Sequence, residues 1–216
     1  MSSFASAGSV AGTYLWSYKT GSFPVTLRSN GVFFCKDHMA PATWSTDPST
    51  GALLVDWSKY GKYTFAASGE GQFEGSIVGN AESWRKMKFV QPITPAEVLL
   101  IGEGGGSVWD WEYAGGNFEV EFICDSYNHF VCKEYPAHSH WSIDTASNKV
   151  FVDWDKYGSY DLVIDPATSS MSGCKRGQDA NWRKLQYKRP LAPQAMGAAP
   201  AHDHAHQHVH SDSCNH

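Results

Sequence analysis

Apolar and polar residues alternate along this chain in short runs, and clusters of turn-forming residues break the runs. Between Gly12 and Val90 the runs are TYLWSYK, FPVTLR, VFFCKD, ATWST, ALLVDW, KYTFAA, QFEGSIV and WRKMKFV. The breaks between them read TGS, SNG, DPSTG, SKYG, SGEG and GNAES. A period of two places successive side chains on opposite faces of a strand. Gly, Asn, Asp and Ser in such short breaks close hairpins. In the run ending at Trp57, alternation puts Leu53, Val55 and Trp57 on one face, with Leu54 and Asp56 on the other. No segment of this region keeps a helical period over three turns. Short strands at regular spacing, separated by such turns, predict an all-β sandwich or barrel.

The pattern is written twice. VDWSKYGKY, Val55 to Tyr63, returns as VDWDKYGSY, Val152 to Tyr160. Upstream of it, Phe33, Cys35, Lys36, Ala40 and Trp44 match Phe130, Cys132, Lys133, Ala137 and Trp141 at one constant offset. Two extra residues precede this point in the second copy, and beyond them Trp16, Tyr18, Phe23 and Val25 match Trp111, Tyr113, Phe118 and Val120. Downstream, Gly75 and Gly79 match Gly173 and Gly177, and Trp84-Arg85-Lys86 matches Trp182-Arg183-Lys184. Ordered agreement over both lengths identifies a tandem duplication. The expected division is a flexible N-terminus (1–11), a first β-module (12–90), a linker (91–106), a second β-module (107–188) and a tail (189–216). In each copy the repeated stretch predicts a hairpin, with Gly61 or Gly158 in the left-handed position of its loop and a Trp filling the core.

A Trp on the first strand and an Arg on the last pair up as Trp16 with Arg85 and Trp111 with Arg183. In this the chain is similar to the calycin-type barrels: lipocalins, fatty-acid-binding proteins and avidins. The resemblance implies calycin-like antiparallel barrels in which the basic residue of the closing strand packs against the first-strand Trp. The Gly-x-Trp of lipocalins is not present. Each copy is short for a ligand-carrying barrel, so two side-chain-filled modules fit its length better than one hollow barrel. One composite barrel with a cavity between the copies is the alternative.

Composition narrows the function. Hydrophobic residues make up 42% of the chain, enough for a core, and the net charge of −5 argues against a nucleic-acid partner. No apolar run reaches the length of a membrane span. The N-terminus carries no basic region ahead of an apolar one, and the cysteines are odd in number: Cys35, Cys124, Cys132, Cys174 and Cys214. Reduced thiols and a cytoplasmic location are the expectation. The linker, QPITPAEVLLIGEGGGS, is punctuated by Pro and Gly, and its PAEVLLI segment suits one helical turn or an apolar strap. The Pro/Ala-rich and then His-rich tail has no core-forming pattern and is expected to be disordered.

Candidate chemistry is uneven between the copies. The first offers Cys35 and His38, whereas the second offers Cys124, His129, Cys132, His138 and His140 within CDSYNHFVCKEYPAHSHW. Such ligands bind zinc and other transition metals, but they match no established ligand spacing, and free Cys in apolar runs packs as a small hydrophobe. Asp56 and Asp153 are candidate acids whose simpler role is a salt bridge or turn hydrogen bond. Glu119, Glu121 and Asp125 make the second strand of copy two acidic, which an exposed strand face explains. In the tail, His202, His204, His206, His208 and His210, joined by Cys214 and His216, form a flexible ligand set for zinc, nickel or copper.

Three functional readings follow. The first is a non-enzymatic binding protein that takes a small apolar ligand or a protein partner through aromatic-rich surfaces, since nine Trp exceed what two small cores require. The second is a barrel-type isomerase or lyase with a site at His129, Tyr135, His138 and His140. The third is a metal-handling protein that acts through its tail.

Overall fold

The computed structural model describes residues 10–193. It forms two eight-stranded antiparallel sheets, each rolled into a nearly closed barrel. The first contains β1 (Gly12–Tyr18), β2 (Gly21–Leu27), β3 (Phe33–Phe34), β4 (Ala42–Thr46), β5 (Leu53–Trp57), β6 (Gly61–Gly69), β7 (Gln72–Ile77) and β8 (Asn80–Gln91). A helix, α1 (Pro95–Ile101), follows. The second barrel contains β9 (Gly106–Tyr113), β10 (Gly116–Ile123), β11 (Phe130–Val131), β12 (His140–Asp144), β13 (Lys149–Trp154), β14 (Gly158–Asp165), β15 (Ser170–Lys175) and β16 (Gln178–Leu191). Neighbours run β3-β2-β1-β8-β7-β6-β5-β4, and the second sheet repeats this order with β11 and β12 at its ends.

The end strands meet at a seam. In the first barrel Val32 bridges Thr43, and the Trp44 N–H donates to Gly31 O at 2.8 Å. In the second His129 bridges His140, and the Trp141 N–H donates to Asn128 O at 2.8 Å. Gly31 and Asn128 both hold positive φ, +82° and +53°, so the two seams turn alike.

Each interior is filled by its own rings. Trp16 meets Tyr63, Phe65, Phe33 and Trp57 with centroids 5.0–5.9 Å away. Trp111 meets Tyr160, Trp154 and Phe130 at 5.1–5.7 Å. The duplicated hairpin thus supplies a Trp and a Tyr to each core, and edge-on ring contacts add to the area these residues bury. The guanidinium groups of the closing strands do not reach the first-strand Trp that the calycin likeness implies. Arg85 lies over Tyr18 and Tyr63, and Arg183 over Tyr113 and Tyr160. Trp16 and Trp111 are wholly enclosed by the core, so the cation stacks on rings nearer the barrel mouth. Gly75 and Gly173 match because a Cβ on either would meet a carbonyl oxygen of the neighbouring strand, Thr64 or Asp161, at 2.0 Å.

The linker joins the modules closely. Thr94 and Glu97 form a capping box at the start of α1, whose Ala96, Leu100 and Ile101 enter the core of the second barrel. Gln91 Nε2 donates to Thr145 Oγ1 across the modules at 2.8 Å.

Candidate metal centre

The seam of the second barrel gathers His129, His138 and His140, each offering a ring nitrogen within 4.8 Å of the others. His129 and His140 face each other across the β11–β12 bridge, and inward-facing Phe130 and Trp141 beside them fix both rings to the outer surface. His138 is exposed, and the other two are half-buried.

Two rings are oriented from behind. Asp125 Oδ2 lies 2.5 Å from His129 Nδ1. A carboxylate only accepts, so Nδ1 carries a proton, and in the neutral ring the lone pair is left on Nε2. Tyr127 O lies 3.0 Å from His140 Nδ1, which by the same logic donates and leaves Nε2 bare. His138 Nε2 sits 3.3 Å from His140 Nε2. Two imidazoles on one tetrahedral zinc, with Zn–N bonds of about 2.05 Å, hold their nitrogens roughly 3.3 Å apart. The pair therefore already has the spacing an ion requires, and backing of ligand imidazoles by a carboxylate and a carbonyl is the usual support of such sites.

The electrostatics agree. Burial lowers the His140 pKa from its ordinary value; the hydrogen bond to Tyr127 O works against this, and charge on His129 or His138 lowers it further. Burial pushes the Asp125 carboxyl up. The hydrogen bond from the His129 ring, positive charge on that ring and the N–H groups of Tyr127 and His129 outweigh that effect and hold it below its usual range.

Asp125 comes from the two-residue insertion. In the first module Arg28 is followed by Ser29-Asn30-Gly31, while in the second Ile123 is followed by Cys124-Asp125-Ser126-Tyr127-Asn128. The ends superimpose, because Trp44 Nε1 donates to Arg28 O as Trp141 Nε1 donates to Ile123 O. The longer loop folds back on itself: Asp125 Oδ1 accepts the Tyr127 N–H at 3.0 Å and the His129 N–H at 3.3 Å. In the first module the positions of the three histidines hold Val32, Pro41 and Thr43, none of them a ligand.

The other candidates fall elsewhere. Cys124 and Cys132 lie in the hydrophobic core; burial raises both thiols, Cys132 to about 11. The Tyr135 ring packs at the barrel mouth among Phe118, Trp154 and Tyr157 and not with the histidines. Asp56 pairs with Lys62 at 2.8 Å, and Asp153 accepts from Ser159 Oγ at 3.1 Å. Glu119 and Glu121 pair with Lys188 and Lys133, whereas Asp125 belongs to the histidine cluster. His202, His204, His206, His208, His210, Cys214 and His216 lie outside the described residues. No protein-family model, curated protein or solved structure matches this chain.

Proposed function

We propose that this chain is a metal-binding protein whose second barrel holds a zinc-class divalent ion on His129, His138 and His140. The observation that carries this reading is the gathering of three imidazole nitrogens within 4.8 Å of one another, one pair of them at 3.3 Å, with two of the rings oriented by Asp125 and Tyr127. Three protein ligands leave one coordination position open, which separates sites that present an ion to water or an exchanging ligand from closed structural sites. Imidazole-only ligation suits zinc, copper and nickel, and excludes the hard cations that prefer oxygen.

Cobalt(II) serves as a coloured substitute for zinc. Titration of metal-free full-length protein should give one equivalent of tight binding with the intense visible bands of four-coordinate cobalt. His138→Ala should abolish that equivalent with no change in melting temperature, since the ring is exposed. Retention of the same bands in the variant would remove the reading.

A surface-binding role has its own support. Trp84 and Trp182 occupy matched positions in the two copies and are 41% and 36% exposed, although a Trp is usually covered. With both interiors filled, an apolar ligand or a protein partner would meet these outer faces. An anilinonaphthalene sulfonate probe should brighten on the native protein and lose most of that signal in the Trp84→Ala/Trp182→Ala variant. Equal brightness in both would count against this role.

A further inference from the structure

We infer that the first barrel forms part of the second barrel's metal site, with Arg28 as its positioning residue; this rests on the metal reading above. Arg28 is 4% exposed, and its guanidinium donates to neutral oxygens: Nη1 to Asp125 O at 3.0 Å and Nη2 to Asn128 Oδ1 at 2.8 Å. Enclosing a cation without a carboxylate against it is unfavourable unless its donors are well used. Here both hydrogen bonds of the group go to one short segment of the other module. The face of the group lies 4.4 Å from the Phe34 ring centre in its own module and 5.8 Å from that of Trp141 across the interface.

Other groups of the first barrel grip the same loop. Asn30 Nδ2 donates to Cys124 O at 3.3 Å and also to Gly104 O, and the Ala42 N–H donates to Ser126 Oγ at 3.1 Å. Cys124, Asp125, Ser126 and Asn128 are thus each fixed by a residue of the first barrel. Within that loop lie the Asp125 carboxylate and the Tyr127 carbonyl, which orient His129 and His140. The clamp is no part of the repeated barrel plan, because the position of Arg28 is held by Ile123 in the second copy. After duplication the same seam loop therefore took complementary forms. The short one carries donors that dock, and the long one carries acceptors that are docked upon and that orient ligands. Metal binding and module docking are linked through this loop, and each strengthens the other.

The test compares cobalt affinity of the site lost in His138→Ala across full-length variants. Arg28→Met keeps the length of the side chain and its contact with Phe34, and should weaken the site about tenfold, the lower end of what loss of supporting groups costs. Arg28→Lys, with one cation and flexible donors, should recover part of it. In an Asp125→Ala background Arg28→Met should cost less than in the wild type, because one of the two supports it acts through is gone and only the Tyr127 carbonyl remains. Gln91→Ala, which cuts a contact between the modules away from the loop, should leave affinity unchanged. Should Arg28→Met fold poorly, Ser126→Ala reports on the same clamp with an expected loss of roughly threefold, a fraction of the loss for the full support. Wild-type affinity in both Arg28→Met and Ser126→Ala, or an equal loss with and without Asp125, would overturn the inference alone. Absence of the tight cobalt equivalent in the wild type would overturn the metal reading and this inference with it.

Discussion

At the scale of residues, the chain separates groups that pack from groups that can react. Cys35 and Cys132 are matched positions, and burial raises both thiols from their ordinary value of 9.0 to about 11. A thiol with a raised pKa in the folded state contributes stability that is complete below its unfolded value and is lost as pH rises through the folded one. Urea midpoints should therefore fall between about pH 9 and 11, and the Cys35→Ala/Cys132→Ala variant should show a shallower fall over that window. An identical slope would mean that other groups govern alkaline unfolding. Among the described cysteines, Cys174 is the half-exposed one and should be modified first by a thiol reagent at pH 8. Asp125 shows how a site residue escaped the sequence. Its partner lies only four positions on, but an acidic residue beside a strand reads as an exposed face. The two-residue insertion was visible; that it folds into a turn aiming a carboxylate at His129 was not. Asp125→Ala should weaken cobalt binding ten- to a hundredfold in a titration, with little change in the barrel's circular dichroism.

At the scale of elements, alternation made the long strands legible because each barrel wall has one wet and one dry face. β5 reads Leu53, Val55 and Trp57 inward, as its pattern predicts, and β13 does the same with Val150, Val152 and Trp154. The seams were not legible, since β3 and β11 have two residues each, too few for a period. What closes the barrels is a pair of bridges and the Trp44 and Trp141 backbone bonds, and the histidines gather at one of those bridges. The sequence therefore named His129, His138 and His140 as candidates without showing that one seam joins them. It also grouped Tyr135 with them by nearness along the chain, whereas the segment 133–137 carries its ring to the barrel mouth. The short helix is a different case: where the sequence suggests one helical turn or an apolar strap, the seven residues form about two capped turns whose apolar side is also a strap. Thr94→Ala removes the cap and should lower stability by about 1 kcal/mol in a denaturant titration. No measurable change would mean that the buried Leu100 and Ile101, rather than the cap, fix the helix.

At the scale of the whole molecule, duplication alone would give two independent barrels. Two features oppose that here: α1 leaves the first barrel and buries its apolar side in the second, and Arg28 bridges the seams. In the sequence Arg28 only ends the FPVTLR run, and nothing there shows the surface that it faces. The coupling predicts one cooperative transition, in which tryptophan fluorescence and far-ultraviolet circular dichroism coincide during urea unfolding. Arg28→Met should separate it into two steps, because the loss of the bridge leaves the buried acceptors of the 124–128 loop unpaired and the modules free to unfold in turn. The ion extends the same logic. A ligand that binds only the folded second barrel raises stability by mass action, and through the clamp this gain should reach the first barrel. Zinc should therefore raise the melting temperature of the single wild-type transition. In Arg28→Met it should raise only the step that involves the second barrel. The sequence reads the tail histidines as a flexible ligand set, and ligands of that kind would form a weaker class whose filling does not require the fold. Deleting residues 201–216 should remove the weaker class and leave the thermal shift intact. A shift that vanishes with the tail would move metal handling from the seam to the terminus.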